Sequence, residues 1–372
     1  MTTISRLAIV GGGPGGLMLA RLLLLRGFEP VVFERDQHSG ERPQGGSLDL
    51  HEETGLRAMS LAGLAKEFAA AARPEDQGDR LYDQHGTLLF DRDGAGDSRP
   101  EIDRIELRRI LLESLPTGVV QWGSRVEAVV PRTEGGYDLV VAGAGQRFDV
   151  VIGADGAWSQ VRPLLTEDVP RYEGVTLVEL GFDSLRHLNV DALVGRGKMF
   201  AVGDNRVLIA QRNGSGHIRG YAGLRITESE AQALAAKQPE RIRAMLVEAF
   251  AGWASELIDM IEIGDFIGVR PLYAMPIGHA WRNHPGVTLL GDAAHLMSPF
   301  SGEGVNLALA DAVDLADALA SADRWEAIAA CETEIMKRAM PAAEGAAAGL
   351  NGALSSQGAA PVLEHYRERV RG

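Results

Sequence analysis

The N-terminal segment constrains the fold most, because an apolar strand pattern runs directly into a glycine-rich turn and an apolar helix. Leu7–Val10 predicts a short buried strand, and Gly11-x-Gly13-x-x-Gly16 follows it at once. In such a unit the first glycine permits a tight turn and the second lets a pyrophosphate approach the backbone. The third lets the helix, residues 17–25, pack on the strand.

A second apolar strand follows this helix and ends in an acid. Pro30–Phe33 predicts the strand, and Glu34 stands where a carboxylate can accept hydrogen bonds from a ribose diol. Together these elements predict an adenine dinucleotide site rather than an ordinary tight turn. Arg35 leaves two interpretations, a ligand of the 2′-phosphate of NADP or a surface charge beside the adenosine half of FAD. Since the sequence has no second dinucleotide-type motif, we favour FAD.

A loop in the last third of the chain carries a complementary pattern. An apolar run leads into Gly291 and Asp292, and a Gly/Pro-rich loop then opens into an apolar-periodic segment from Val305 to about residue 320. This order places a carboxylate at a strand end, beside the unpaired N–H groups and positive dipole end of a helix. Such a loop suits a polyhydroxylated, anionic cofactor.

The composition gives no sign of a nucleic-acid or membrane partner. The 372 residues are 45% hydrophobic and 24% charged, and a formal net charge of −14 argues against both partners. The first apolar run is already the first strand, so we predict no signal peptide and a cytoplasmic location. Cys331 is the single cysteine, and His279 and His284 lack helical ligand spacing, so no metal site is predicted.

The nucleotide-binding elements lie at both ends of the chain, with strand-rich sequence between them. Short strand-like runs with turn signals between 175 and 224 predict an antiparallel sheet. The sequence therefore predicts an α/β protein with a Rossmann-like FAD-binding domain over 1–170 and 268–322. An inserted antiparallel-sheet substrate domain occupies 171–267, and a helical segment occupies 323–372.

Three local patterns refine this outline. Asp103 is predicted as a helix N-cap, with Glu106 completing a capping box. The Ala-rich C-terminal region predicts two helices, over 325–339 and about 342–355. Residues 364–371 are predicted as one helical turn or a frayed tail.

Three motifs occur in the order typical of group A FAD-dependent aromatic hydroxylases: the glycine turn with Glu34, Asp155-Gly156, and Gly291-Asp292. The chain resembles that family over nearly its whole length. Residues 45–51 (GGSLDLH) and 100–108 (PEIDRIELR) further resemble the tetracycline-inactivating monooxygenases of the TetX type, as does the loop that contains Gly291.

The resemblance implies a role for each matching position. The ADP half of FAD would contact Gly11, Gly13, Gly16, Glu34 and Arg35. The remaining FAD positions, near the pyrophosphate, the ribityl chain, the flavin ring and its reactive edge, would be Asp49, Arg108, Asp155, Asp292, Pro299, Gly302, Gly304, Val305 and Asn306.

Some of these positions also have a simpler interpretation. Arg108 fits a solvated helix residue, Asp49 a helix N-cap, and Asp155 a plain turn after a strand. His295 is expected to pack or to form hydrogen bonds within its loop rather than to act as a base.

The implied chemistry belongs largely to the cofactor. By the resemblance, NAD(P)H would reduce FAD, dioxygen would add at the flavin C4a, and the hydroperoxide would pass its distal oxygen to an electron-rich substrate carbon. Backbone N–H groups between Phe300 and Gly304 are suited to stabilising the peroxide.

The substrate is expected between the flavin and the inserted sheet. The drug-binding pattern of the family uses a Gln, an Arg and a His there, and the corresponding positions hold Glu179, Lys198 and Arg219, with Phe300 as a fourth predicted contact. These departures change charge and hydrogen-bond direction, because an ionised Glu only accepts and Arg only donates. The alternative for each is an exposed charge on a sheet. The sequence thus favours a polar polycyclic or phenolic substrate over tetracycline in particular.

Three functions stay open at this point. The first is hydroxylation of an aromatic or polyketide substrate with dioxygen, including tetracycline inactivation and thus antibiotic resistance. The second is a Baeyer–Villiger-type oxygenation in the same fold. The third is a flavin-binding protein that sequesters a drug without turnover, motivated by the altered pocket positions.

Overall fold

The computed structural model describes residues 6–41, 45–92, 94 and 99–371, which form three larger sheets, one two-stranded sheet and twelve α-helices. The strands are β1 (Leu7–Val10), β2 (Pro30–Phe33), β3 (Ser47–Asp49), β4 (Gly78–Asp83), β5 (Leu88–Arg92), β6 (Glu101–Asp103), β7 (Val120–Gln121), β8 (Val126–Pro131), β9 (Tyr137–Val141), β10 (Ala144–Phe148), β11 (Val150–Gly153), β12 (Arg171–Asp183), β13 (Gly197–Gly203), β14 (Arg206–Arg212), β15 (His217–Arg225), β16 (Asp265–Ala274) and β17 (Val287–Leu289). The helices are α1 (Pro14–Leu25), α2 (Arg57–Leu61), α3 (Ala65–Ala71), α4 (Arg104–Glu113), α5 (Leu188–Val194), α6 (Glu228–Ala235), α7 (Pro239–Ala249), α8 (Ser255–Ile263), α9 (Asp292–His295), α10 (Gly304–Ala320), α11 (Arg324–Ala353) and α12 (Ala360–Arg371).

A five-stranded parallel sheet, in the order β17-β11-β1-β2-β7, forms the nucleotide-binding layer. Its three central strands are almost wholly buried, as expected where helices cover both faces. The register pairs Val10 with Phe33 and with Gly153, and Gly153 with Leu289. The carboxyl ends of β1, β2, β11 and β17 therefore meet at one edge. The predicted α/β class with a Rossmann-like domain is confirmed.

A seven-stranded sheet, in the order β16-β12-β15-β14-β13-β4-β5, forms the second layer. Neighbouring strands are antiparallel except for β13 and β4. One face packs against α5–α8 through buried residues such as Phe182, Met199 and Leu246. The sheet includes β4 and β5, which come from residues before the expected insertion, and β16, which extends beyond it to Ala274.

The C-terminal region differs from the two helices and tail expected from its sequence. It forms one 30-residue helix, α11, with Pro341 inside it, and a full final helix, α12. An internal proline removes a helical hydrogen bond and costs about 3 kcal/mol. Burial of Ala339 and Leu350 on either side of it offsets that cost. Tyr366 of α12 is buried against Phe90, with ring centroids 5.1 Å apart.

The capping box predicted at the start of α4 is wrong. Asp103 occupies the N-cap position, but its side chain forms no capping hydrogen bond. Its carboxylate instead accepts hydrogen bonds from the backbone N–H of Gly214 (3.0 Å) and the side chain of Asn213 (3.1 Å), and it lies 3.0 Å from Arg73. These distant donors, one of them cationic, compete better than the helix's own N–H groups.

Among the described residues, no helix is both long and apolar enough to cross a bilayer.

A buried ionic cluster fastens α10 to the loop after β17 and to α11. Asp311 is fully buried and accepts hydrogen bonds from Gly291 N (3.0 Å), His295 Nε2 (2.6 Å) and Arg338 (2.9 Å). Burial alone would raise the pKa of Asp311, but His295 and Arg338 hold it below the usual range. His295 thus forms hydrogen bonds as expected, although its partner lies on α10 rather than in its own loop.

This cluster predicts a large difference between two neighbouring substitutions on α10. Asp311→Asn should lower the free energy of unfolding by about 3 kcal/mol, because it leaves buried cations without a counter-charge. Asp314→Asn should cost less than about 1 kcal/mol, since Asp314 binds the same Arg338 (2.8 Å) from a side chain that is 32% exposed. Urea denaturation of the FAD-loaded proteins measures both, and equal losses would contradict this account.

Candidate active site

One cavity of about 1410 Å³ joins the carboxyl edge of the parallel sheet to a face of the seven-stranded sheet. The cofactor and substrate positions predicted from sequence that line it are Gly11, Gly13, Gly16, Glu34, Arg35, Asp49, Asp155, Glu179, Lys198, Arg219, Asp292, Pro299, Phe300, Gly302, Gly304 and Val305. Arg108 and Asn306 do not line it. Residues from opposite ends of the chain therefore share one wall.

The glycine-rich turn fits a pyrophosphate. Gly11 has φ 110°, and a Cβ there would overlap the carbonyl oxygen of Ala154, while a Cβ on Gly16 would overlap the carbonyl oxygen of Gly11. Gly13 is different, because a Cβ there would meet no protein atom within 4 Å. The first and third glycines are thus required by the fold, whereas the space beside the second is open to a ligand. Helix α1 begins there without a side-chain cap or an acid in its first turn, which leaves N–H donors for an anion.

Arg108 supports this turn from behind. It is 2% exposed and donates to the carbonyl oxygens of Gly12 (3.1 Å) and Ser39 (3.0 Å). Its guanidinium also lies 3.8 Å from Glu34, whose carboxylate accepts the Gly12 N–H at 2.8 Å. Arg108 is therefore not the solvated helix residue considered from sequence, and the FAD contact implied by the resemblance stays a prediction. Arg108 positions the turn and the acid.

Asn306 has a similar supporting position. It is fully buried, donates to the carbonyl oxygen of Asp49 (2.9 Å) and accepts from the backbone N–H of His51 (2.9 Å). It therefore ties the start of α10 to the segment after β3, while the neighbouring Val305 provides the cavity wall.

Asp49, His51 and Glu303 form a charged bridge beside the loop from Pro299 to Gly304. His51 Nε2 lies 3.2 Å from Asp49, and His51 Nδ1 lies 3.4 Å from Glu303. Burial alone would lower the pKa of His51, but the two carboxylates raise it to about 9. Burial alone would raise the pKa of Asp49, but His51 lowers it to about 2. His51 and Asp49 are thus both charged at neutral pH, and Asp49 is not a side-chain cap of the next helical turn.

Two further acids stand at the ends of the parallel strands. Asp155 follows β11, accepts the backbone N–H of Gln160 at 2.7 Å, and has a pKa raised by burial. Asp292 follows β17, is exposed, and lines the cavity. Their positions agree with the roles expected from the resemblance, and direct contact with FAD stays a prediction.

The opposite wall holds the predicted substrate residues in ion pairs. Glu179 is 6% exposed and accepts hydrogen bonds from Arg219 (3.1 Å) and Arg270 (2.8 Å). Lys198 lies 3.6 Å from Asp79. All three predicted residues point into one cavity, so the interpretation as unrelated exposed charges is not supported.

Sequence reasoning missed part of this wall. Gln211, Tyr221, Arg270 and, from the C-terminal helices, Gly349 and Tyr366 also line the cavity. Tyr221 stands two residues after Arg219 on β15, so strand periodicity alone places both on one face. For Arg270 the only signal was its place in the β16 pattern, and the C-terminal residues gave none.

Comparison with known proteins identifies the family. The family model described as "FAD binding domain" matches residues 5–339. The chain belongs to this family. It is 32% identical over 371 residues to monooxygenase asqM of Emericella nidulans, covering 84% of this chain and 83% of that protein. It is 30% identical over 342 residues to 3-amino-4-hydroxybenzoate 2-monooxygenase PtnB3 of Streptomyces platensis, covering 87% and 82%.

The fold agrees with this assignment. The crystal structure of tetracycline destructase Tet(55) matches with a TM-score of 0.77 and 19% identity, covering 100% of this chain and 95% of that one. The resemblance to group A flavin monooxygenases is confirmed, and the chain is an FAD-dependent monooxygenase of the aromatic hydroxylase type.

The open space beside Gly13 predicts a selective loss of cofactor. Gly13→Val should keep the fold, because the backbone there (φ −80°) suits any residue, yet weaken FAD binding at least tenfold, about 1.4 kcal/mol. Fluorescence titration of the apoprotein with FAD gives the affinity, and circular dichroism checks the fold. Gly145→Val, in the exposed strand β10, is the matched control. Wild-type affinity in Gly13→Val would refute the assignment.

The His51 bridge predicts a stability loss at high pH. Its folded-state pKa of about 9 lies above the ordinary 6.5, so its stabilisation is complete below pH 6.5 and is lost as the pH rises through 9. Urea unfolding at about pH 6 and pH 10 should show a smaller loss in His51→Gln than in the wild type. His217→Gln, at an exposed histidine, should match the wild type. An unchanged loss in His51→Gln would contradict the bridge.

Proposed function

We propose that this monooxygenase consumes NAD(P)H and hydroxylates a polar, polycyclic aromatic substrate, with tetracyclines as one candidate class. The observation that carries the proposal is the single cavity shared by the cofactor loop and the charged sheet wall. Its volume of about 1410 Å³ exceeds the ~300–1,000 Å³ typical of one small-ligand site. It therefore has room for a dinucleotide together with a multi-ring substrate.

One comparison supports an aromatic substrate, and another bears on the fold alone. The 30% identical PtnB3 is named for a hydroxylated aminobenzoate, which favours an aromatic ring. The tetracycline destructase match is 19% identical and supports the fold alone. The tetracycline candidate rests instead on residues 45–51 and 100–108. Their strands, β3 and β6, pair with each other beside the cavity, with Leu48 opposite Ile102.

The chain's own residues would bind, orient and shield the reactants. FAD, when bound, supplies the activation of dioxygen. The loop from Pro299 to Gly304 leads into the uncapped N-terminus of α10, whose backbone N–H groups and dipole favour developing negative charge at the cavity. Phe300 and Tyr366 add apolar cover that limits water. Arg35 is exposed beside Glu34, where either the 2′-phosphate of NADP or solvent would contact its guanidinium.

Turnover of a substrate panel tests the proposal. FAD-loaded protein with NADPH or NADH, ¹⁸O₂ and tetracyclines, polyketide phenols or hydroxybenzoates should give ligand-stimulated oxidation of the nicotinamide. A product with one added ¹⁸O on a ring carbon is expected. Gly13→Val, impaired in FAD binding, is the control.

The other outcomes identify the alternatives. If the ¹⁸O atom is found inserted into a carbon–carbon bond of a ring, the reaction is a Baeyer–Villiger oxygenation and not a hydroxylation. If a ligand binds tightly but does not stimulate oxidation of NADPH or NADH, the protein sequesters that ligand without turnover.

A further inference from the structure

Two guanidinium groups on the seven-stranded sheet share one carboxylate. Arg219 approaches one oxygen of Glu179 at 3.1 Å, and Arg270 approaches the other at 2.8 Å. The three side chains come from three adjacent strands, β15, β16 and β12, with β12 in the middle. Glu179 is buried, so water competes little for its carboxylate. One carboxylate thus pairs with two guanidinium groups.

The surplus positive charge faces the cavity. The side chains of Arg219 and Arg270 are 20% and 58% exposed, and both residues line the cavity. Arg104 lines it too, and within the described part of the chain no carboxylate lies at ion-pair distance from it. Burial and the charge of Glu179 raise the pKa of Tyr221, and the charges of Arg219, Arg104 and Arg270 oppose that rise. The three arginines and Tyr221 therefore line the same cavity and interact electrostatically.

Around Lys198, the other cation on this wall, positive charge is not in excess. Lys198 lies 3.6 Å from Asp79, and Asp49 and Glu101 also stabilise its charge. Burial raises the pKa of Glu101 to about 7, so Glu101 is partly protonated at neutral pH. An incoming anion would meet net negative or neutral charge there. The two ends of the wall thus differ in sign.

The Arg219 group is also sterically fixed. A Cβ on Gly45 would overlap its guanidinium, so the backbone at Gly45 packs directly against it. An arginine fixed by Glu179 on one side and by backbone on the other loses little conformational entropy when a ligand binds. Its fork of N–H donors matches a carboxylate.

From this arrangement we propose that the substrate carries a carboxylate, bound by Arg219 and Arg270 with Tyr221 and Arg104 beside them. The inference rests on the proposed function and narrows its substrate class to aromatic acids. A chain with a net charge of −14 repels anions in general, so a local cationic pair is needed to admit one.

Equilibrium binding tests the inference without turnover. FAD-loaded protein is titrated with acid and carboxamide pairs, benzoate, 1-hydroxy-2-naphthoate and anthracene-2-carboxylate with their amides, and the flavin absorbance change is followed. At least one acid should bind at least tenfold more tightly than its amide, and the preference should shrink in high salt. Because no nicotinamide is present, this result is independent of whether the proposed hydroxylation occurs.

Three variants sharpen the test. Arg270→Gln should reduce the acid preference to less than threefold, while Arg171→Gln, on β12 but outside the cavity lining, should leave it unchanged. Glu179→Gln removes the competing carboxylate, so acid binding should be kept or strengthened. If Glu179 were itself the group that accepts from the substrate, the same variant would weaken binding. Equal binding of acids and amides, or binding of no acid, overturns the proposal.

Discussion

The parallel register of the five-stranded sheet is the constraint on which the site depends. Because Val10 is level with Phe33 and Gly153, and Gly153 with Leu289, the residues that follow four strands emerge at one edge. A slip of one residue would turn the side chains to the opposite face. Gly11, Glu34 and Asp292 are far apart in sequence, and this register alone brings them to one cavity.

Buried polar contacts then hold the loops at that edge. Arg108 anchors the glycine turn, Asn306 joins α10 to the segment after β3, and Asp311 joins Gly291 to α11. None of the three lines the cavity. Their side chains take up polar loop groups that would be costly to bury unpaired. The cavity wall can therefore consist of glycines and backbone, which a ligand approaches closely.

The nucleotide layer was predictable because its signals are local. Strand β1, the glycine turn, helix α1 and Glu34 follow each other without interruption, and each has a stereochemical reason that can be stated from the sequence. Asp103 shows where local reasoning failed, since donors more than a hundred residues away displaced its capping bond. The contacts that Arg108 and Asn306 make with distant parts of the chain were not foreseen for the same reason. Residue type and spacing do not show whether a side chain faces the cavity or packs behind the residues that line it.

The substrate wall was only half predictable, because its chemistry arises between strands. Glu179, Arg219 and Arg270 lie on three strands, and only the cross-strand register makes them an ion-pair group. Taken singly, each is an ordinary charge on a sheet. Together they make one end of the cavity positively charged. Lys198 and the acids around it make the other end neutral or negative. A polar ligand that fills the cavity meets both ends at once, so we expect substrate choice in this protein to follow from charge balance across strands rather than from any single residue.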